Sequence, residues 1–257
     1  MRDRWHIMSE SQILEQIDKG PGFFVGSMSL LELKIVRQII RDQYLEHLFA
    51  EEPQKALYFD RSSMREYHEL AERHQIDHVK LWPKSKRILN FDAFNTVVSL
   101  HFFQNIMSEL EVSSITSEEG SSWGELYWRI VRPGTSDIGS MHTDRWFRDL
   151  GHGVMPPKRR GLKLWIAVET IAGLNGLSVA PNSHKNKDWA YVGEVDHTGI
   201  SKPRLQSKLN TKDIYNIPAS PGDFVIFHDD LIHGGMTNRS DQTRVSIECM
   251  LLTPSLA

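Results

Sequence analysis

The chain has 257 residues, about 40% of them apolar, and a formal net charge of −3. That balance supplies no global basic field for nucleic acid, and no apolar run approaches the length that crosses a bilayer. One cysteine, Cys249, excludes an intramolecular disulfide and fits a reducing compartment. The length suits one domain with a sizeable core. Met1–His6 opens with charges and lacks the apolar core of a secretion signal, so a cytoplasmic protein without a membrane anchor is expected.

In chain order, Ser9–Asp18 reads as a short helix carrying the stripe Ile13, Leu14 and Ile17. Gly20-Pro21-Gly22 breaks it, and Phe23–Gly26 reads as a strand. Ser27–Ala50 has helical spacing at Leu30, Leu33, Val36, Ile39, Ile40 and Tyr44, with Ser29 as cap and Glu32 three residues on. Met64–His74 and Phe94–Leu110 read as further helices, the latter as one unbroken element. After Gly120 short strands take over: Glu125–Arg132, Gly161–Glu169, Gly176–Val179, Tyr215–Pro218, Asp223–His228 and Thr243–Leu252. Helices first and short strands afterwards imply an antiparallel sandwich or barrel with helices outside one sheet. We therefore expect residues 1–118 to be a mainly helical buttress and 119–257 the β core of a single domain.

Two stretches carry chemistry. In Gly139–Phe147, His142 and Asp144 stand two apart, so on an extended strand both side chains leave the same face. About 90 residues later His233 follows the apolar strand Asp223–His228 and precedes Gly234-Gly235, which reads as a turn. Two imidazoles and one carboxylate on one face of a metal, with other positions open, form the ligand set of non-heme iron(II) oxygenases. A bare His-x-Asp is common by chance. Arg244 adds to it: beyond the loop Asn238–Asp241 it can return to the depth of His233 and offer a bidentate partner to a dicarboxylate. Ser246 shares its face. The plainer reading makes Arg244 an ion pair at the rim with Asp241 or Glu248.

His142-Thr143-Asp144, Trp165-Ile166-Ala167-Val168, Asn175–Lys185, Pro221-Gly222-Asp223, His233 and Arg244 resemble, in order and spacing, the phytanoyl-CoA dioxygenase family of iron(II)/2-oxoglutarate-dependent oxygenases. Even Phe23-Phe24-Val25 followed by Ser29–Glu32 resembles that family's opening. The resemblance implies a mainly β fold, a double-stranded β-helix (the cupin-like jelly-roll) with flanking N-terminal helices. It implies His142, Asp144 and His233 as ligands of Fe(II), and Arg244 as anchor of the 2-oxoglutarate carboxylate with Ser246 beside it. It also implies that Trp165 lies against the co-substrate, although a core aromatic is an equal reading. The activity implied is oxidation of a small molecule by O2, with release of succinate and CO2. A carboxylate at 144 argues for hydroxylation over halogenation, and leaves desaturation, cyclisation and epimerisation open.

The sequence departs from the family around Arg145-Trp146-Phe147-Arg148 and in the basic, glycine-rich stretch Gly151–Arg160, so the substrate need not be an acyl-CoA. Arg145, Arg148, Lys158, Arg159 and Arg160 read as a loop at the barrel mouth, either recognising an anionic substrate or solvated against Asp149. Trp146, Phe147 and Trp189 line a pocket or fill the core. His184 and His228 read as loop-holding residues. The competing function is a non-catalytic cupin-like module that binds metal or ligand, which an intact Arg244 argues against. A zinc hydrolase has the ligand types but no evident general base.

Overall fold

The computed structural model describes residues 10–117, 120–195 and 199–255. The charged Met1–His6 stretch, the Ser9 start of the first helix and Glu118–Glu119 at the expected change of grammar lie outside these. The N-terminal part holds α1 (Glu10–Asp18), α2 (Leu30–Glu51), α3 (Pro53–Asp60), α4 (Tyr67–Arg73), α5 (His78–Leu81), α6 (Phe91–Val98) and α7 (His101–Glu109), with β1 (Phe23–Ser27) between the first two. The remainder holds β2 (Ser114–Ile115), β3 (Tyr127–Val131), α8 (Asp144–Asp149), β4 (Arg159–Glu169), β5 (Gly176–Val179), β6 (Tyr191–Val195), β7 (Ser201–Leu205), β8 (Tyr215–Ile217), β9 (Asp223–His228), β10 (His233–Met236) and β11 (Arg244–Pro254).

Ser29 starts α2 as its sequence suggests. Glu32 N donates to Ser29 Oγ at 3.2 Å, and Ser29 N donates to Glu32 Oε2 at 2.8 Å, a reciprocal capping box. The other oxygen of Glu32 accepts from Phe102 N at 2.8 Å. That contact explains a correction: Phe94–Leu110 is two helices, not one. Leu100 is extended between α6 and α7 and offers no capping side chain, so the carboxylate of Glu32 satisfies an amide at the new helix start.

All strand pairs are antiparallel. The larger sheet runs β1-β9-β4-β11, with β3 and β2 both along the far edge of β11. The smaller sheet runs β10-β5-β8. β4 is buried along nearly its whole length because it is covered on both sides. Leu162, Leu164, Ile166 and Val168 pack with Phe224, Ile226, Ile247 and helical residues such as Val36, Ile40 and Phe102 in one continuous core. Trp165, Ala167, Val225 and Phe227 point the other way and meet Leu177, Val179 and Ile217 of the smaller sheet. Two facing sheets with helices outside the larger one make the jelly-roll. Among the described residues no helix is long and apolar enough to cross a membrane. Cys249, the single cysteine, is buried.

Three local expectations change. Asp144 opens α8 and is not on a strand; His142 meets His233 in an isolated bridge, so their side chains converge because the chain turns at Thr143. Gly234-Gly235 is not a turn but the middle of β10, paired with Ser178 and Leu177. A Cβ on Gly235 would stand 2.9 Å from Ile138 Cβ, and one on Gly234 3.0 Å from Met141 Sδ, so the glycines let the His142-bearing segment lie close against the strand. The hairpin β6–β7, polar and interrupted by Gly193 and Pro203, has no counterpart in the sequence reading.

Candidate metal centre

The backbones of His142 and His233 are locked together: His142 N donates to His233 O at 2.9 Å, and His233 N donates to His142 O at 2.8 Å. Directly opposed residues project to one side, and the two rings lie 4.5 Å apart between centroids. Asp144 reaches them from the start of α8, its Oδ2 3.8 Å from His233 Nε2. One ligating atom from each of the three residues lies within 4.8 Å of the others.

Hydrogen bonds fix which nitrogens are available. His142 Nδ1 sits 2.6 Å from Ser140 O, and His233 Nδ1 sits 2.9 Å from Leu231 O. A carbonyl only accepts, so each Nδ1 carries a proton and Nε2 is the nitrogen left for a metal. Removal from water, with His233 alongside, pushes the His142 pKa down to about 4, which favours the neutral imidazole. Asp144 Oδ2 is buried with no hydrogen-bond partner. Two imidazole Nε2 atoms and an unsatisfied carboxylate oxygen fit a divalent metal of the iron or zinc type.

Along β11 the residues facing the interior are Arg244, Ser246 and Glu248. Arg244 is 2% exposed, its Nη1 donates to Gly176 O, and its Nε has no partner. Among the described residues no carboxylate pairs with it, contrary to the rim ion pair with Asp241 or Glu248. Burial pushes this guanidinium down to about 10. Ser246 Oγ is fully buried and also unpartnered. A buried cation and a hydroxyl two residues apart, both unsatisfied, fit the distal carboxylate of 2-oxoglutarate. Trp165 is buried among apolar residues, and its Cη2 lies 3.8 Å from where a Cβ on Gly176 would stand. The indole and the Arg244 fork therefore meet at the same glycine.

A residue absent from the sequence reading lies beside this trio. Lys163, on β4, is 3% exposed, with Nζ 3.7 Å from Asp144 Oδ1 and 3.8 Å from Glu248 Oε2. Its place between Leu162 and Leu164 carries no motif that would single it out.

The basic residues after the first ligands are not a free loop. Arg145 and Arg148 lie on α8, and Arg159 and Arg160 begin β4. Arg145 pairs with Asp230 and Asp149, Arg148 with Asp229, and Arg160 with Asp18 at 2.5 Å. These pairs give the anionic-substrate alternative no support, and the Arg145–Asp149 pair belongs to the plainer reading. They also occupy a second cluster, His228, Asp229 and Asp230, whose carboxylates are taken by Arg148, Arg145 and Lys187. His184 holds a loop, its Nε2 3.2 Å from Asp18 O. Trp146 stacks on Tyr191 at 4.5 Å, tying the β6–β7 hairpin to α8, and Phe147 sets its ring edge-on to His142 at 5.2 Å.

Comparison with known proteins bears on the fold and the family. A stretch of 88 residues is 33% identical to a probable phytanoyl-CoA dioxygenase of Caenorhabditis elegans, covering 33% of this chain and 28% of that relative. The structure superposes on AviO1 from Streptomyces viridochromogenes Tue57 with a TM-score of 0.53 at 16% identity, over 95% of this chain and 96% of that one. It superposes on the epimerase SnoN, solved with Fe3+, alpha ketoglutarate and nogalamycin RO, with a TM-score of 0.54 at 12% identity, over 95% and 83%. The profile of the phytanoyl-CoA dioxygenase (PhyH) family matches residues 29–246, and the chain belongs to that family.

Proposed function

We propose that this protein is an iron(II)- and 2-oxoglutarate-dependent dioxygenase that hydroxylates a small-molecule substrate, with succinate and CO2 as co-products. One observation carries the reading: two imidazoles and a carboxylate oxygen without a hydrogen-bond partner converge within 4.8 Å, and the same protein buries an arginine that no carboxylate pairs with among the described residues. Family membership supports it. Iron bound there would activate O2, delivering one oxygen atom to a substrate C–H bond and the other to 2-oxoglutarate as that loses CO2.

The chain's own residues bind, orient and exclude water. His142 and His233 would hold the metal through Nε2, each ring kept in register by its Nδ1–H to a backbone carbonyl. Asp144 would complete the set through an oxygen that no other group satisfies. Arg244 and Ser246 would take the distal carboxylate of 2-oxoglutarate, and Trp165 would cover it from the β4 side. Phe227, its ring 4.5 Å from that of His233, keeps water from that flank.

The test is anaerobic addition of iron(II) and 2-oxoglutarate, followed by the visible charge-transfer band of the chelate. A band that disappears in His233→Ala and Asp144→Ala is expected. Metal binding without a band would favour the non-catalytic cupin-like module.

A further inference from the structure

The inner wall of β4 is lined by Trp165 and Ala167 and lies against Val225 and Phe227, yet it also carries Lys163, opposite Met250 on one side and Phe227 on the other. An apolar side chain would fill that place at no electrostatic cost, whereas a buried ammonium must be compensated. The compensation is specific. Lys163 Nζ is at ion-pair distance from Asp144 Oδ1 and Glu248 Oε2, and donates to Tyr127 Oη at 3.3 Å. Glu248 is in turn bound by Arg129. Four alternating charges, Asp144, Lys163, Glu248 and Arg129, thus run across α8, β4, β11 and β3 and sum to zero.

The contact divides the two oxygens of Asp144. Oδ1 faces the ammonium, while Oδ2 faces His233 Nε2 and has no hydrogen-bond partner. We propose that Lys163 is a positioning residue for the metal centre: its ammonium holds Asp144 Oδ1 so that Oδ2 is the oxygen presented beside the two imidazoles. Glu248, fixed by Arg129, keeps the ammonium in place. The inference rests on the metal-binding reading above and adds the residue that sets the carboxylate's orientation. Partners behind a ligand commonly change metal affinity by about 10–100-fold.

Co(II) titrated into the metal-free full-length protein tests this, read by affinity and by its visible d–d bands, with near-UV circular dichroism to verify folding. Lys163→Met should weaken Co(II) binding by about 10–100-fold and shift the bands as the carboxylate changes its mode, while Lys163→Arg, which keeps the cation, should recover most of the affinity. Glu248→Gln should weaken binding in the same direction, and it decides the matter if Lys163→Met does not fold. Wild-type affinity and unchanged bands in folded Lys163→Met, or in Glu248→Gln in its stead, overturn the inference. So does a Lys163→Arg variant as weak as Lys163→Met with an equal loss of melting temperature, which marks a packing role. A wild-type protein that binds no Co(II), or binds it equally after His142→Ala, overturns the metal centre itself together with the inference.

Discussion

A guanidinium buried without a carboxylate beside it loses hydration and gains only what neutral acceptors return. Arg244 is in that position: one nitrogen rests on Gly176 O, Nε has nothing, and Ser246 Oγ nearby has nothing either. An incoming carboxylate would satisfy both open groups, so Arg244→Lys should keep the charge and lose the fork. We expect the 2-oxoglutarate concentration for half-maximal band intensity to rise about 10–100-fold in Arg244→Lys. The rise in Ser246→Ala should be about fivefold, the value of one neutral hydrogen bond. Wild-type saturation in Arg244→Lys would place the anchor elsewhere. The convergence of His142, Asp144 and His233 was legible because two imidazoles and a carboxylate at this spacing, followed by a strand arginine, form a recognisable ligand pattern. Lys163 was not legible. Alternation with leucines marks a solvent face when one side of a strand is open, and only the second sheet, distant in sequence, closes that side.

At the level of elements, most strands and the α2 start followed from local chemistry: alternation, β-branched runs and the Ser29/Glu32 box. The failures came where long-range contact overrides local preference. Phe94–Leu110 is periodic throughout, but a carboxylate from α2 makes a second helix start affordable at Leu100. Gly234-Gly235 looks like a turn and is a strand thinned for a neighbour. That neighbour is the segment Ile138–His142, so β10 both supplies His233 and sets how near His142 can come. Adding one methyl in Gly235→Ala should force Ile138 outward and cost about 1–3 kcal/mol in urea unfolding. It should also weaken metal binding more than an equally destabilising change in the helical layer. A Gly235→Ala protein with wild-type stability and metal affinity would mean that this close approach has no role in seating His142. The β6–β7 hairpin was not legible for another reason: its strands bury little and are held from outside, by Tyr191 stacking on Trp146 and by Leu205 N donating to Met141 O.

On the scale of the whole molecule, the helical layer and the metal-bearing segment are joined at His78 and Asp137. His78, on α5, has Nδ1 3.0 Å from Tyr67 Oη, and its Nε2 lies 3.8 Å from Asp137 Oδ2. Arg132 grips Asp137 with Nε and Nη2, both at 2.8 Å, five residues before His142. Burial, with Arg132 and Arg87 adding to it, outweighs Asp137 and pushes the His78 pKa down to about 4. Burial alone would raise Asp137, but the hydrogen bonds from Arg132 bring it down to about 2. Both groups hold fewer protons folded than unfolded, so both make stability rise with pH. The His78 contribution is complete above the unfolded value near 6.5 and is lost as pH falls to about 4; that of Asp137 is lost below about 3.8, as pH falls toward 2. Urea unfolding of the metal-free protein should therefore show stability level above pH 7 and falling by on the order of 2 kcal/mol between pH 6.5 and 4. His142 and His184, also shifted down by burial, contribute with the same sign. His78→Asn offers Tyr67 an acceptor but cannot take up a proton, so its curve should start lower at pH 7 and fall less steeply through that window. A mutant curve parallel to the wild type would assign the acid sensitivity to His142 and His184, and with it to the metal centre and not to its junction with the helices.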